Sequence, residues 1–138
     1  MQVDMNSMLQ MSAAALKAQT TRMRVIAENL ANAGTTGTAP GADPYRRQIP
    51  VFKDMMDRTL GVRVVKAQAP VPDMSDFQTK FDPSHPAANA EGYYKLPNVK
   101  PIMETVDMKE AQRSYEANLS VIESTRALLK QTTDLLRA

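Results

Sequence analysis

The chain has 138 residues, 43% apolar, 23% charged and 5% aromatic, and its 17 basic and 15 acidic side chains leave a net charge of +2. That is material for one ordinary domain, with a net field too weak to bind nucleic acid by charge alone. The absence of cysteine and tryptophan and the single histidine exclude disulfides, thiolate or polyhistidine metal sites, a cysteine nucleophile and a large aromatic-lined pocket.

Residues 1–33 contain neither proline nor glycine, and nor does the chain from Ile102 onward. All nine prolines lie between Pro40 and Pro101, and all five glycines between Gly34 and Gly92. Proline costs about 3 kcal/mol in a helix interior and glycine about 1, so the two ends are free to form long helices and the middle is not. In the first segment Met5, Leu9, Ser12, Leu16, Gln19, Met23, Ile26 and Leu30 alternate four and three apart, a heptad seam with two polar interruptions. Asn6 or Ser7 is the expected cap, and Asn32-Ala33-Gly34 the expected stop. The run Met8–Leu16 loosely imitates a signal peptide, but Asp4 precedes it, no Lys or Arg does, and Gln10 and Ser12 interrupt it. A cleaved signal is therefore not expected, and no segment approaches the roughly 20 apolar residues of a membrane span.

The middle, residues 34–103, reads as extended pieces and turns. The glycine-rich stretch Gly34–Gly41 follows a helix and lacks a Lys-Ser or Lys-Thr, so it is a loop and not a phosphate cradle. Arg46–Phe52 and Val62–Gln68 are the expected strands, and Asp82-Pro83 and His85-Pro86 the expected turns. His85 has no second imidazole to work with and reads as a turn residue bonded to its own loop. Asp73, Asp76, Asp82 and Glu91 lack the dense alternation of a calcium loop and read as solvated charges. Arg46-Arg47 reads as an ion-pairing or partner-contacting pair.

The last segment, residues 104–138, repeats Met108, Tyr115, Ile122, Leu129 and Leu136 every seven residues, with Val121, Leu128 and Leu135 beside them. A stripe that broad suits more than one neighbouring helix. Thr105 or Asp107 is the expected cap, the latter with Glu110 three residues on. The ten methionines add packing that adapts to several neighbours. The expected fold is mainly α with a small β element. Long N- and C-terminal helices pack as a coiled-coil-like pair around an extended, β-containing middle. Polar seam positions and wet apolar faces point to helices that form fully only in an assembly, whose head-to-tail contacts give a tube or filament. No catalytic pair, cofactor site or small-molecule pocket emerges, so an enzyme is not expected.

Several segments resemble a known family. Ser12-Ala13-Ala14-Ala15-Leu16, Ala18-Gln19 and Ala27-Glu28-Asn29-Leu30-Ala31-Asn32-Ala33 are similar to the N-terminal motif of flagellar rod, hook and related axial proteins. Asp43-Pro44-Tyr45-Arg46-Arg47-Gln48, Asp82-Pro83-Ser84-His85-Pro86, Ala90-Glu91-Gly92-Tyr93 and Pro97-Asn98-Val99 resemble the basal-body rod members in particular. So do Glu104–Met108 and Ser114-Tyr115-Glu116-Ala117-Asn118, while Gly34 and Lys100-Pro101 depart from the pattern. The resemblance implies export through the flagellar type III apparatus without a cleaved signal. It further implies assembly in the periplasm, with copies of itself and other rod subunits, into the proximal part of a torque-transmitting shaft. It implies no nucleic acid and no cofactor. Leu9, Leu16, Met23, Ile26 and Leu30 are then expected to pack against Met108, Tyr115, Ile122, Leu129 and Leu136. Asn29 and Asn32 are expected to bond exposed carbonyls or a neighbouring subunit at the helix end. The alternatives are another rod or hook-junction subunit and a cytosolic helical adaptor or chaperone.

Overall fold

The computed structural model describes residues 4–137; residues 1–3 and 138, inside the expected segments 1–33 and 104–138, lie outside the described residues. The element order is α1 (Met5–Ala31), β1 (Gln48–Asp57), β2 (Val62–Pro72), β3 (Gln78–Phe81), β4 (Tyr93–Leu96) and α2 (Pro101–Arg137). The fold is thus mainly α with a small antiparallel β element in the middle.

The cap of α1 is Asp4, not Asn6 or Ser7. Its Oδ1 accepts the Ser7 N–H at 2.7 Å and its backbone carbonyl accepts the Met8 N–H at 3.1 Å. The carboxylate also faces the positive end of the helix. At the other end the Ala33 N–H donates to the Leu30 carbonyl at 3.3 Å, a tighter turn that stops the helix before Gly34. Ile26 and Val25 are buried, while Leu9, Leu16, Met23 and Leu30 are half-buried.

Helix α2 starts at Pro101, earlier than Thr105 or Asp107. Proline suits the first helical position because its missing N–H would have no intrahelical partner there. Glu104 follows in the first turn, where a carboxylate is favoured. Along α2, Glu104, Ala111 and Thr125 are buried, and Met108, Tyr115, Asn118, Ile122 and Leu129 half-buried. Together these eight positions form a seam of alternating four- and three-residue steps. From Lys130 to Arg137 every residue is exposed. The helices touch at Arg22–Glu110, 3.7 Å apart, and at Asn29–Glu104, 3.2 Å apart.

Strands β1 and β2 form one two-stranded sheet and β3 and β4 another. The β1–β2 turn is held by Asp57, whose Oδ1 accepts the N–H groups of Thr59 and Leu60 and whose carbonyl accepts the Gly61 N–H at 2.9 Å. Gly61 takes φ +65°, a left-handed conformation that glycine adopts without strain. Strand β1 begins two residues later than expected, because Arg46 and Arg47 are engaged elsewhere, and runs on to Asp57. Its polar Lys53-Asp54 step is exposed, not a turn. Three prolines punctuate this sheet, Pro50 on β1 and Pro70 and Pro72 on β2.

Strands β3 and β4 pair antiparallel with Gln78 opposite Leu96 and Phe81 opposite Tyr93. Four residues each, with every β3 residue exposed, they carry no alternation that the sequence could announce.

The chain divides into two units. One comprises Met1–Met23, Val51–Ala69 and Lys109–Ala138, the other Arg24–Pro50 and Pro70–Met108. The buried apolar side chains of the first are small: Ala18, Val62, Val64 and Ala111. The second buries Val25, Ile26, Ala87, Tyr94 and Val99, and it holds the polar cluster described next.

Candidate functional site

Residues from distant parts of the sequence converge in the second unit around Asn29, which is fully buried. Helix α1 presents it in its last turn. Its Oδ1 accepts the Tyr45 hydroxyl at 2.9 Å and the Gln48 N–H at 2.9 Å. Its Nδ2 donates to the Gln48 carbonyl at 2.8 Å and to Glu104 Oε2 at 3.2 Å. Both lone-pair positions and both protons of the amide are used, which is the condition for burying such a group without a large penalty.

Glu104 is 1% exposed. Its other oxygen accepts from Arg47 Nε, so the buried carboxylate has a cation as well as an amide. Arg47 also reaches Asp73 Oδ2 at 3.3 Å and lies 3.9 Å from Asp107. Burial works against the Arg47 charge, but Glu104 and then Asp73 outweigh it and hold the guanidinium above its ordinary pKa. Burial foremost, and then the Glu28 and Glu104 charges, raises the Tyr45 phenol. The Ser75 N–H and hydroxyl, followed by Arg47, hold Asp73 below the ordinary carboxylate range.

Asn98 extends the cluster. Its Oδ1 accepts the Arg47 N–H at 2.8 Å and its Nδ2 donates to the Asp73 carbonyl at 2.9 Å. Arg46 turns the other way, donating to the Asp73 carbonyl at 2.8 Å with its guanidinium 4.1 Å over the Phe77 ring. The cleft beside Arg47, about 280 Å³, is lined by Arg47, Asp73, Glu104 and Asp107 among others. Its acidic groups and its arginine pair with each other, so this arrangement braces the chain. Among the described residues no group of three or more His, Asp or Glu is placed to hold a metal ion.

The remaining motif residues build the β3–β4 connection. Asp82 Oδ1 accepts the Ser84 N–H at 3.0 Å and hydroxyl at 2.6 Å, and these bonds lower its pKa. His85 Nδ1 accepts the Ala87 N–H at 3.0 Å, and its ring stacks on Tyr94 with centroids 3.8 Å apart. Its Nε2 lies 3.2 Å from Thr36 Oγ1, while the Gly41 N–H donates to the Ala87 carbonyl at 3.1 Å. Lys95 bonds Asp43 at 2.8 Å and holds that carboxyl low. Residues 34–44 are thereby tied to the β3–β4 connection. Gly92 has φ +86°, and Tyr93 meets Phe81 edge to face at 5.1 Å. Pro83, Pro86 and Glu91 are exposed on this loop.

Asn32 and Asn118 bond carbonyls one turn back in their own helices, Glu28 and Ser114, both at 2.8 Å, and Glu116 is exposed. Leu136, expected in the seam, is 84% exposed. Sequence reasoning left Asp73 as a solvated charge and overlooked Gln48. Asp73 is an Arg47 partner 26 residues away, and Gln48 acts through its backbone, so neither leaves a signal in spacing.

Comparison with known proteins gives the family. Residues 9–37 match the model "Flagella basal body rod protein", and residues 90–135 match "Flagellar basal body rod FlgEFG protein C-terminal". The chain is 49% identical to the flagellar basal-body rod protein FlgC of Agrobacterium fabrum, over 89% of this chain and 88% of that protein. It is 37% identical to FlgC of Bacillus subtilis over 92% and 95%. It is 36% identical to FlgC of Salmonella typhimurium over 88% and 90%. With identity of this level across nearly the whole chain, the protein belongs to the FlgC family of flagellar basal-body rod proteins.

Proposed function

We propose that the chain is a structural subunit of the proximal flagellar rod, one of many that build a helical tube and carry torque through their interfaces. Residues 1–33 and 104–138 act together as its axial part, and Leu9, Leu16, Met23, Ile26 and Leu30 share a seam with Met108, Tyr115, Ile122 and Leu129. The subunit reaches the periplasm through the flagellar type III apparatus without a cleaved signal, joins copies of itself and other rod subunits, and catalyses nothing. One observation carries this reading. Burial on α2 stops at Leu129, while Val121, Leu128, Leu135 and Leu136 stay 43%, 55%, 79% and 84% exposed. A helix that keeps an apolar stripe wet over its last turns is built for neighbours.

The test is Leu129→Asp in a cell that makes flagella. The expected result is loss of motility and of the chain from purified basal bodies, with the variant still appearing in the export fraction. Normal basal bodies carrying the variant would show that Leu129 is outside the seam. Wild-type chain abundant in cytosol and absent from basal bodies would overturn the rod reading itself.

A further inference from the structure

The Asn29 side chain treats Gln48 as a strand would. It accepts the Gln48 N–H and donates to the Gln48 carbonyl, at 2.9 and 2.8 Å, the reciprocal pair of bonds that two strand residues exchange. It does so on the outer edge of β1. Arg47 faces the other way, its carbonyl accepting the Asp73 N–H at 2.8 Å next to the end of β2. Successive residues of a strand point their backbone groups to opposite sides, so the Gln48 groups face away from β2 and would be open to any passing strand. The next outward-facing position is Pro50, which has no N–H to offer.

We infer that Asn29 is a strand-mimicking clamp, which closes the β1 edge at its first residue and fixes the last turn of α1, the start of β1 and the first turn of α2 in one arrangement. The clamp is selective because every bond it makes is directional. An aspartate in its place would keep the Tyr45 and Gln48 N–H donors. Its second oxygen, however, would face the Gln48 carbonyl and the Glu104 carboxylate with nothing to donate. A leucine would fill the volume and leave the Gln48 groups unpaired. The clamp holds whatever the subunit assembles with, so it stands or falls apart from the rod reading.

The experiment uses the full chain in solution. In the native protein the two Asn29 side-chain amide protons, seen by nitrogen-edited NMR, should exchange with solvent more than about tenfold slower than those of an exposed asparagine. Asn29→Leu should lose a similar factor of protection at the Gln48 amide. Asn29→Asp should invert the pH response. With two carboxylates sharing one site, a proton is taken up there, so one carboxyl has a raised folded pKa. Its stabilisation is complete below the unfolded carboxyl value of about 4 and is lost as pH rises through the folded value. The variant should therefore unfold at a higher denaturant concentration at about pH 5 than at about pH 7, and adding Glu104→Gln should abolish that trend. The groups facing the site are Glu104 and Asp107 from α2, Glu28 from α1, Tyr45 and Arg47 before β1, and Asp73 after β2. Free exchange of the Asn29 amide, full Gln48 protection in Asn29→Leu, or no gain in Asn29→Asp at lower pH would each overturn the clamp. Should Asn29→Asp fail to fold at any pH, exchange of the native amide decides the question alone.

Discussion

Single residues set the tolerances of the second unit. Gly92 combines a left-handed backbone with close neighbours: an added Cβ would lie 2.8 Å from Phe81 Cε2 and 2.9 Å from Pro83 Cγ. Neither ring can swing aside freely, since Phe81 is packed against Tyr93 and Pro83 is rigid. Gly92→Ala should cost about 1–3 kcal/mol, checked by denaturant unfolding followed through tyrosine fluorescence. A glycine in a Glu-Gly-Tyr run can be flagged from sequence as a turn. That the turn closes on Phe81, eleven residues earlier, cannot. The same contrast holds for Asn29 and Glu104. Both belong to segments that resemble the family, yet nothing in their spacing says that they meet. Residues 75 apart in the chain leave no periodic trace, and a buried asparagine and glutamate read as solvent-facing until their partners are known.

Elements were legible to the degree that chemistry repeats along them. The partition of proline and glycine locates both helices, and the α1 seam is written in Met5, Leu9, Leu16, Met23, Ile26 and Leu30. Along α2 only every second inward position is a large apolar residue. Glu104, Ala111, Asn118 and Thr125 fill the others, and a hydrophobicity count passes over them. The β3–β4 hairpin was illegible for a related reason, since both strands are short and β3 is exposed throughout. Helix ends follow local rules that leave several solutions open. At α1 the choice fell on Asp4, whose carboxylate accepts the Ser7 N–H and is held below its ordinary pKa by that bond. Asp4→Ala should destabilise the start of α1 and lower the helical circular dichroism of the N-terminal turns. Asp4→Asn, which still accepts the bond, should retain most of it.

At the scale of the molecule, Asp4 and three further carboxylates set the acid limit. Asp43, Asp73 and Asp82 are each held low, by Lys95, by Ser75 and by Ser84 as leading partners. Because their folded values lie below the unfolded ones, their stabilisation is complete above the ordinary carboxylate range and is lost as pH falls through the folded values. The unfolding midpoint should therefore hold steady down to about pH 5 and decline below about pH 4. Asp73→Asn should start lower and decline less steeply, as seen in a denaturant series across pH. The two units divide the work by composition. The second has a core of Val25, Ile26, Val99 and Tyr94 and a satisfied polar cluster. The first buries little beyond alanines and valines, and keeps an apolar stripe on α2 in water.

The prolines of the β1–β2 sheet bear on that division. The Asp73 N–H points inward to Arg47, so Pro70 and Pro72, three and one residues before it, fall on the outward side of β2, as Pro50 does on β1. A ribbon of two strands is otherwise an invitation to amyloid-like stacking, because each open edge can recruit the next chain. A basal-body rod protein works inside an assembly, and a second mode of association through open strand edges would compete with it. Rings without N–H groups at Pro50, Pro70 and Pro72, and an asparagine over the Gln48 pair, blunt that competitor at this end of the ribbon. Where Asn29 and the three prolines sit, the ribbon offers a passing strand little to pair with.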